Sequence, residues 1–221
     1  LVTTATKFNP HKIRSLVGST DLVQVQRARL VDIATKLFLA NGFHATSTRD
    51  IAREGGVSAG AIYQYIKTKE DLLALILHSL LELHERELFP VMDDKGRGGA
   101  RLWDAIDIYY RTLDANHDKA NVLYFAFHSV SKPLRVHFRQ TQERIFIGFE
   151  RILSEGTAAG EFAPCNAPFI AQNITAMGQA WALRPDRFRG MQVDDYIEAE
   201  ITSVTALVEP AQRSARRPRP S

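Results

Sequence analysis

Ser47-Thr48-Arg49-Asp50-Ile51-Ala52-Arg53-Glu54-Gly55-Gly56-Val57-Ser58-Ala59-Gly60-Ala61-Ile62-Tyr63-Gln64-Tyr65 decides how this chain is read. It spells two short helices joined by a glycine turn. Ser47 suits the N-cap of the first, and Asp50 three residues on completes a capping-box pair. Ile51 and Ala52 face inward, and Gly55-Gly56 ends the helix and permits a sharp turn. Val57 then plugs the core and Ser58 caps the next helix, expected over about 59–66. Ile62 and Ile66, four apart, make its inner face, while Ala59, Gly60, Tyr63, Gln64 and Lys67 share the opposite one. Glycine inside a helix costs about 1 kcal/mol against alanine. A helix that only supports a core has little reason to accept that, whereas one whose backbone must approach a partner closely does.

Working outward, Leu30, Ile33, Ala34, Leu37 and Phe38 recur at helical spacing and mark a helix over about 23–40. Asn41-Gly42 stops it, and Phe43 folds back into the small core. Downstream, Thr68 with Asp71 reads as a second cap, opening a leucine-rich helix from Lys69 towards Phe89 that Pro90 should end. That leucine density implies cover on more than one side, so the helix bridges two layers. Residues 93–99 form a polar, glycine-rich break. Helical patterning then resumes at about 100–115, 119–130, 133–156, 167–183 and 193–208, with turns at 160–164 and 184–190. There is no strand pattern and no repeat. The expected fold is all-α: an N-terminal three-helix helix-turn-helix head over 23–71, joined by a linking helix to a C-terminal helical domain over 72–208. A basic arm, 1–22, and a basic proline-containing tail, 209–221, are expected to be disordered.

Charge divides along the chain. Residues 1–71 carry ten Lys/Arg against six Asp/Glu, residues 72–208 fourteen against eighteen, and residues 209–221 four against one. A basic N-terminal third on an acidic remainder suggests that one end meets a polyanion. Lys7, His11, Lys12 and Arg14 make the leading segment either a DNA-touching arm or a plain leader. Cys165 is the only cysteine, which excludes an intrachain disulfide. The sequence has neither a long apolar run nor a signal-peptide core, so a cytoplasmic protein is expected, bacterial and at the nucleoid. His78 and His84, six apart, face different sides of a helix, which is wrong for a metal pair, and His78 with Glu82 reads as a surface contact. No nucleophile elbow, phosphate loop or dinucleotide fingerprint is found. Neither an enzyme, a metal site nor a cofactor is expected.

Ile33-Ala34, Leu37-Phe38, Gly42-Phe43, Thr46, Thr48, Ile51-Ala52, Gly56-Val57-Ser58, Gly60, Ile62-Tyr63, Tyr65-Ile66, Lys69-Glu70 and Leu72 form one pattern at fixed spacing. With it, residues 24–77 closely resemble the N-terminal DNA-binding domain of the TetR/AcrR family of bacterial regulators. Tyr65, Ile66 and Thr68 depart from the family's commonest residues there, histidine, phenylalanine, and serine or asparagine, but keep size or capping role. Glu54-Gly55 replaces a pair of small residues. The resemblance implies that Thr48, Tyr63 and Lys69 hold phosphates and that Arg49 meets a phosphate or a base edge. It sets Ser58, Ala59, Gly60 and Gln64 nearest the bases, where Gln64 suits adenine and Ala59 or Ala61 a thymine methyl. Double-stranded DNA with a palindromic operator is the implied partner.

Further on, Ile170, Ile174, Met177 and Trp181 form one stripe, and Ile197, Ile201, Val204 and Val208 another. The resemblance pairs the last two long helices with those of a second copy. The expected homodimer interface is Ile170, Ile174, Ile197, Ile201, Val204 and Val208, with Ala171, Ala176 and Ala180 allowing close approach; a core within one chain explains the same stripes. The middle helices are rich in aromatics, which is either core or the effector cavity the resemblance implies. Trp103, Tyr110, Tyr124, Phe127, His128, Phe146, Phe149, Met177 and Trp181 are its candidate lining. Gln179 to Tyr196, with Arg184, Arg187 and Arg189, is similar to a motif of fatty-acid and acyl-CoA-responsive members. Those arginines either meet CoA phosphates or form an exposed basic loop. The implied function is a ligand-responsive repressor, released from its operator by a small, largely apolar effector, a fatty acid or acyl-CoA being one candidate. Two alternatives stay open: a nucleoid or division-control DNA-binding protein without an effector, and an acyl-CoA or lipid carrier with a vestigial DNA-binding motif.

Overall fold

α1 (Thr20–Asn41), α2 (Thr48–Glu54) and α3 (Lys69–Leu83) build the head of the molecule in the computed structural model, which describes residues 20–209. The arm up to residue 19 and the tail from residue 210 lie outside the described residues. α1 stops where Gly42 takes a left-handed φ of 83°, and Phe43 returns to pack edge-on against Phe38 at 5.1 Å. α2 ends at Gly55, and Gly56, at φ 64°, makes the sharp turn that the double glycine foretells.

The second helix of the motif is shorter than its sequence suggests. In place of a helix over about 59–66 there is a single 3₁₀ turn, Ala61–Gln64. Ser58 accepts a hydrogen bond from the Ala61 amide at 3.0 Å, so the turn opens two residues later than expected. Serine and glycine ahead of it are weak helix formers, and the run to Thr68 is too short to nucleate a long helix.

Pro90 does not end the linking helix. α3 passes through a π turn at His84–Leu88 into α4 (Phe89–Asp93), with Pro90 in the first turn of α4. Proline has no N–H and its ring presses on the carbonyl four residues back. The wider π turn lies where that strain falls, and it carries the chain onward as one rod.

A 3₁₀ segment, Lys95–Ala100, leads into α5 (Arg101–Ala115). α6 (His117–Ala126), α7 (Lys132–Ala158), α8 (Ala167–Leu183) and α9 (Val193–Val208) complete the bundle, and no strand occurs among the described residues. Two apolar cores result. The head core contains Ile51, Ile62, Ile66, Leu72–Leu77, Leu80 and Leu81, and recruits Val122, Leu123 and Ala126 of α6, Val130 of the connection after it and Leu134 at the start of α7. The body core contains Leu88, Phe89, Met92, Tyr109, Tyr110, Phe149 and the inner faces of α8 and α9. Apolar packing therefore divides later than residue 71: most of the linking helix and α6 belong with the head. Gly178 allows α8 to lie on α5, since a Cβ there would sit 2.7 Å from the Tyr109 ring.

Candidate nucleic-acid interface and internal cavity

The exposed face of the head is held by short polar links. The Asp50 amide donates to the Ser47 hydroxyl at 3.2 Å and the Asp50 carboxylate accepts from the Ser47 amide at 3.0 Å, so the capping box forms as read. That hydroxyl and amide, with Arg53, hold the Asp50 carboxyl below the usual range. Thr48 and Tyr63, fifteen residues apart, meet through their hydroxyls at 3.1 Å. Arg49, Ser58, Ala59, Gly60, Tyr63 and Gln64 are exposed and Thr48 is half-buried. Gly60 has ordinary right-handed backbone angles, and a Cβ there would meet only the Ser58 Oγ at 4.0 Å. Nothing among the described residues requires glycine at this position. A bare surface next to Tyr63 and Gln64 remains, with the clearance a groove-entering face needs.

Lys69 is placed differently from its expected phosphate contact. Its ammonium donates to the carbonyls of Phe43, His44 and Thr46 at 2.8, 3.1 and 3.1 Å and lies 4.5 Å from the centre of the Phe43 ring. A lysine has three N–H donors, and here all point at carbonyls rather than outward. Lys69 thus ties the start of α3 to the α1–α2 loop. A second tie was not anticipated: the buried Arg27 of α1 donates its Nε to the Tyr65 carbonyl at 3.0 Å, closing the end of the 3₁₀ turn. An arginine between Val23 and Leu30 on the inner stripe of α1 was the signal available for it.

A cavity of about 340 Å³ lies where the two cores meet. Leu80, Leu81, Leu123 and Phe138 wall it from the head side, and Tyr109, Thr112, Leu113, Ala182 and Leu183 from the body side. Of the nine candidate lining residues, Tyr124, Phe127 and His128 do line it. The others are used elsewhere. Trp103 packs edge-on against Phe162, and Phe149 is wholly buried against Tyr109. Tyr110 is buried and donates to the Ile174 carbonyl at 2.9 Å. Trp181 donates its indole N–H to Asp114 at 2.9 Å and stacks with Tyr196. Met177 is exposed on the outer side of α8. Phe146 lines a separate open groove of about 440 Å³ with Arg139, Glu143, Gln172 and Thr175. Gln142 and Gln179 border both spaces. None of Arg184, Arg187 and Arg189 lines either.

Sequence reasoning missed the most unusual wall residue, His84. It opens the π turn, is 4 % exposed, and neither ring nitrogen has a well-directed hydrogen-bond partner. The Leu80 carbonyl is the backbone acceptor that acts on the ring, while burial drives its pKa from 6.5 down to about 4. At neutral pH this is an uncharged imidazole. Among the described residues no Lys, Arg, Asp or Glu lines the cavity. No cluster of His, Cys, Asp and Glu fit to hold an ion occurs among the described residues.

The expected dimer stripe is internal. Ile170, Ile174, Ile197, Val204 and Val208 are buried within one chain and leave little surface for a second copy, while Ile201 is half-buried. Ala171 is buried with them. An apolar stripe of a terminal helix first serves its own core. What α8 and α9 expose instead is Phe169, Ala176, Met177, Ala199, Ala206 and Leu207.

A three-helix head with a short exposed turn on a helical body is the architecture of a helix-turn-helix DNA-binding regulator. Residues 30–76 match the family described as bacterial regulatory proteins, tetR family, and residues 95–183 match the tetracyclin repressor-like C-terminal domain. The HTH-type transcriptional regulator HbdR of Aromatoleum sp. (strain CIB) is 31 % identical over 90 % of this chain and 86 % of its own length. Among solved structures, the TetR-family regulator PfmR of Thermus thermophilus aligns over 91 % of this chain and all of its own, with a TM-score of 0.69 at 20 % identity. AibR, solved with isovaleryl coenzyme A and operator DNA, aligns over 84 % of this chain and 99 % of its own at TM-score 0.66 and 18 % identity. The chain belongs to the TetR family of bacterial transcriptional regulators. No helix among the described residues is long and apolar enough to cross a membrane.

Proposed function

We propose that this protein is a homodimeric repressor that leaves a palindromic operator when a small, largely apolar molecule enters the internal cavity. The observation that carries this reading is the cavity's position between the two cores. A ligand there bears on α3 through Leu80 and Leu81 and on α5 through Tyr109. α3 begins at Lys69, whose ties to Phe43, His44 and Thr46 make the head follow it. Differential binding to two placements of α3 shifts the population of DNA-competent dimers. In this reading Thr48, Arg49 and Tyr63 meet the phosphates, and Ser58, Ala59, Gly60 and Gln64 face the bases. Phe169, Met177 and Leu207 belong to the surface that pairs with a second copy, because two short turns give the span a palindrome needs. AibR's complex with isovaleryl coenzyme A supports a short acyl-CoA as one candidate effector.

An open cavity favours this reading over a DNA organiser without an effector. The paired Thr48 and Tyr63 on an intact exposed face favour it over a carrier with a vestigial head. The test is fluorescence anisotropy with the DNA upstream of the protein's own gene, repeated with an acyl-CoA and fatty-acid series. Specific, salt-dependent binding that one ligand class abolishes is expected. Equal affinity for scrambled DNA, or operator binding indifferent to every apolar ligand, would sink the proposal.

A further inference from the structure

The chamber has a built polar end that its apolar walls do not explain. Three side chains compose it. His84 is buried with two nitrogens lacking well-directed partners, Tyr109 is buried beside it with ring centres 6.1 Å apart, and Gln179 is in hydrogen-bond contact with the Tyr109 phenol. All three line the same cavity. A buried polar atom without a partner costs free energy, and native chains retain few of them. The His84 ring also stands at the start of a π turn, a distortion that recurs at functional sites.

We infer that this end of the chamber recognises an uncharged hydrogen-bonding group, a carbonyl or amide on an apolar skeleton, with the ring of His84 as its partner. This rests on the effector reading above and narrows its ligand class. A neutral imidazole offers one donor and one acceptor. A free carboxylate would enter a wall with no Lys or Arg to meet it, and a buried unpaired charge is strongly disfavoured. A purely apolar molecule would fill the chamber but leave the His84 nitrogens without a well-directed partner. Gln142 and Gln179 stand between the chamber and the open groove that contains Arg139. The neutral carbonyl can therefore arrive as a free molecule or as the acyl end of a thioester whose polar remainder leaves between the two glutamines.

The test is calorimetric titration of the full chain with four probes on one skeleton: 4-phenylbutyramide, 4-phenylbutyrate, n-butylbenzene and 4-phenylbutyryl-coenzyme A. In the wild type the amide should bind about tenfold more tightly than butylbenzene, the yield of one well-placed hydrogen bond, and the carboxylate no better than butylbenzene. His84→Leu should erase the preference for the amide while butylbenzene still binds, which shows that the variant is folded and its chamber intact. His84→Gln should retain part of the preference. A thioester that outbinds the amide supports the carbonyl site and identifies a CoA source; an amide that binds where the thioester does not supports the same site with a free ligand. Carboxylate binding equal to amide binding, or an amide preference that survives His84→Leu, overturns the inference but leaves the effector reading standing. No binding of any probe to the wild type removes both.

Discussion

The two cores differ in how completely they are closed. The head core is mostly aliphatic, with Phe38 and Phe43 its buried aromatic rings, and the polar groups around it have close partners: the Lys69 ammonium on three carbonyls, Arg27 on Tyr65, Ser47 with Asp50. The body core is aromatic and holds polar groups under tension. Glu200, buried beside Tyr110, has its carboxyl pushed above the usual range by burial, with the nearby Tyr110 hydroxyl opposing the shift. His84 is buried without a well-directed partner at the edge of an open chamber. A closed, tied unit moves as a whole, whereas a loosely packed seam can change its packing. In the proposed reading, the rigid part reads DNA and the incomplete one responds to a ligand.

The contrast can be broken most directly by making the same kind of cut in both places. Ile62→Ala in the head, at a side chain with no exposure, should cost about 4 kcal/mol in urea denaturation, whereas Leu80→Ala on the cavity wall should cost about 2, because its neighbours are already missing on one side. Equal losses would mean that the chamber is not open in solution. Next is pH. His84 binds fewer protons folded than unfolded between pH 6.5 and about 4, so its contribution is intact above that window and is lost as pH falls through it. Burial sets the direction against Glu85 and Glu87, which favour the charged ring. About 3 kcal/mol should disappear between pH 7 and pH 4, and His84→Leu should remove that slope from the stability profile.

Lys69→Met tests the tie in the head. Loss of charged hydrogen bonds to three carbonyls should lower stability by about 2 kcal/mol without any DNA present, read as a fall in thermal midpoint. An unchanged midpoint with a shallower salt dependence of DNA binding would return Lys69 to a phosphate. The smallest effect is expected from Tyr63→Phe. It removes the hydroxyl link to Thr48 at an exposed site, so stability should hold and operator affinity should fall roughly fivefold.

Local chemistry explains what could be read in advance. The Ser47–Asp50 cap, the stop at Gly42 and the turn at Gly56 depend on residues adjacent in sequence, and they formed as expected. So did the inward Ile62 and Ile66. The cavity depends on which side of a helix faces which core. Tyr109 and Tyr110 are neighbours about 100° apart around α5, and only the first lines the chamber. The stripes of α8 and α9 were visible, but an apolar stripe does not say whether its partner is the same chain or another copy. The π turn at His84 was hidden in a leucine-rich run whose period it barely disturbs. Lys69 shows a related ambiguity: a long flexible cation at a helix start suits a phosphate and a set of carbonyls equally, and here it meets the carbonyls.

Gly178 does not line the chamber, yet the atoms nearest a Cβ placed there belong to Tyr109, Leu113 and Tyr110, and the first two do line it. One added methyl on α8 would press on these rings and branches from behind the chamber wall. The size of the chamber is therefore set partly from behind its wall. A lineage could retune which molecules fit by drifting at a position no ligand touches, leaving the recognising groups and the DNA-reading head unchanged.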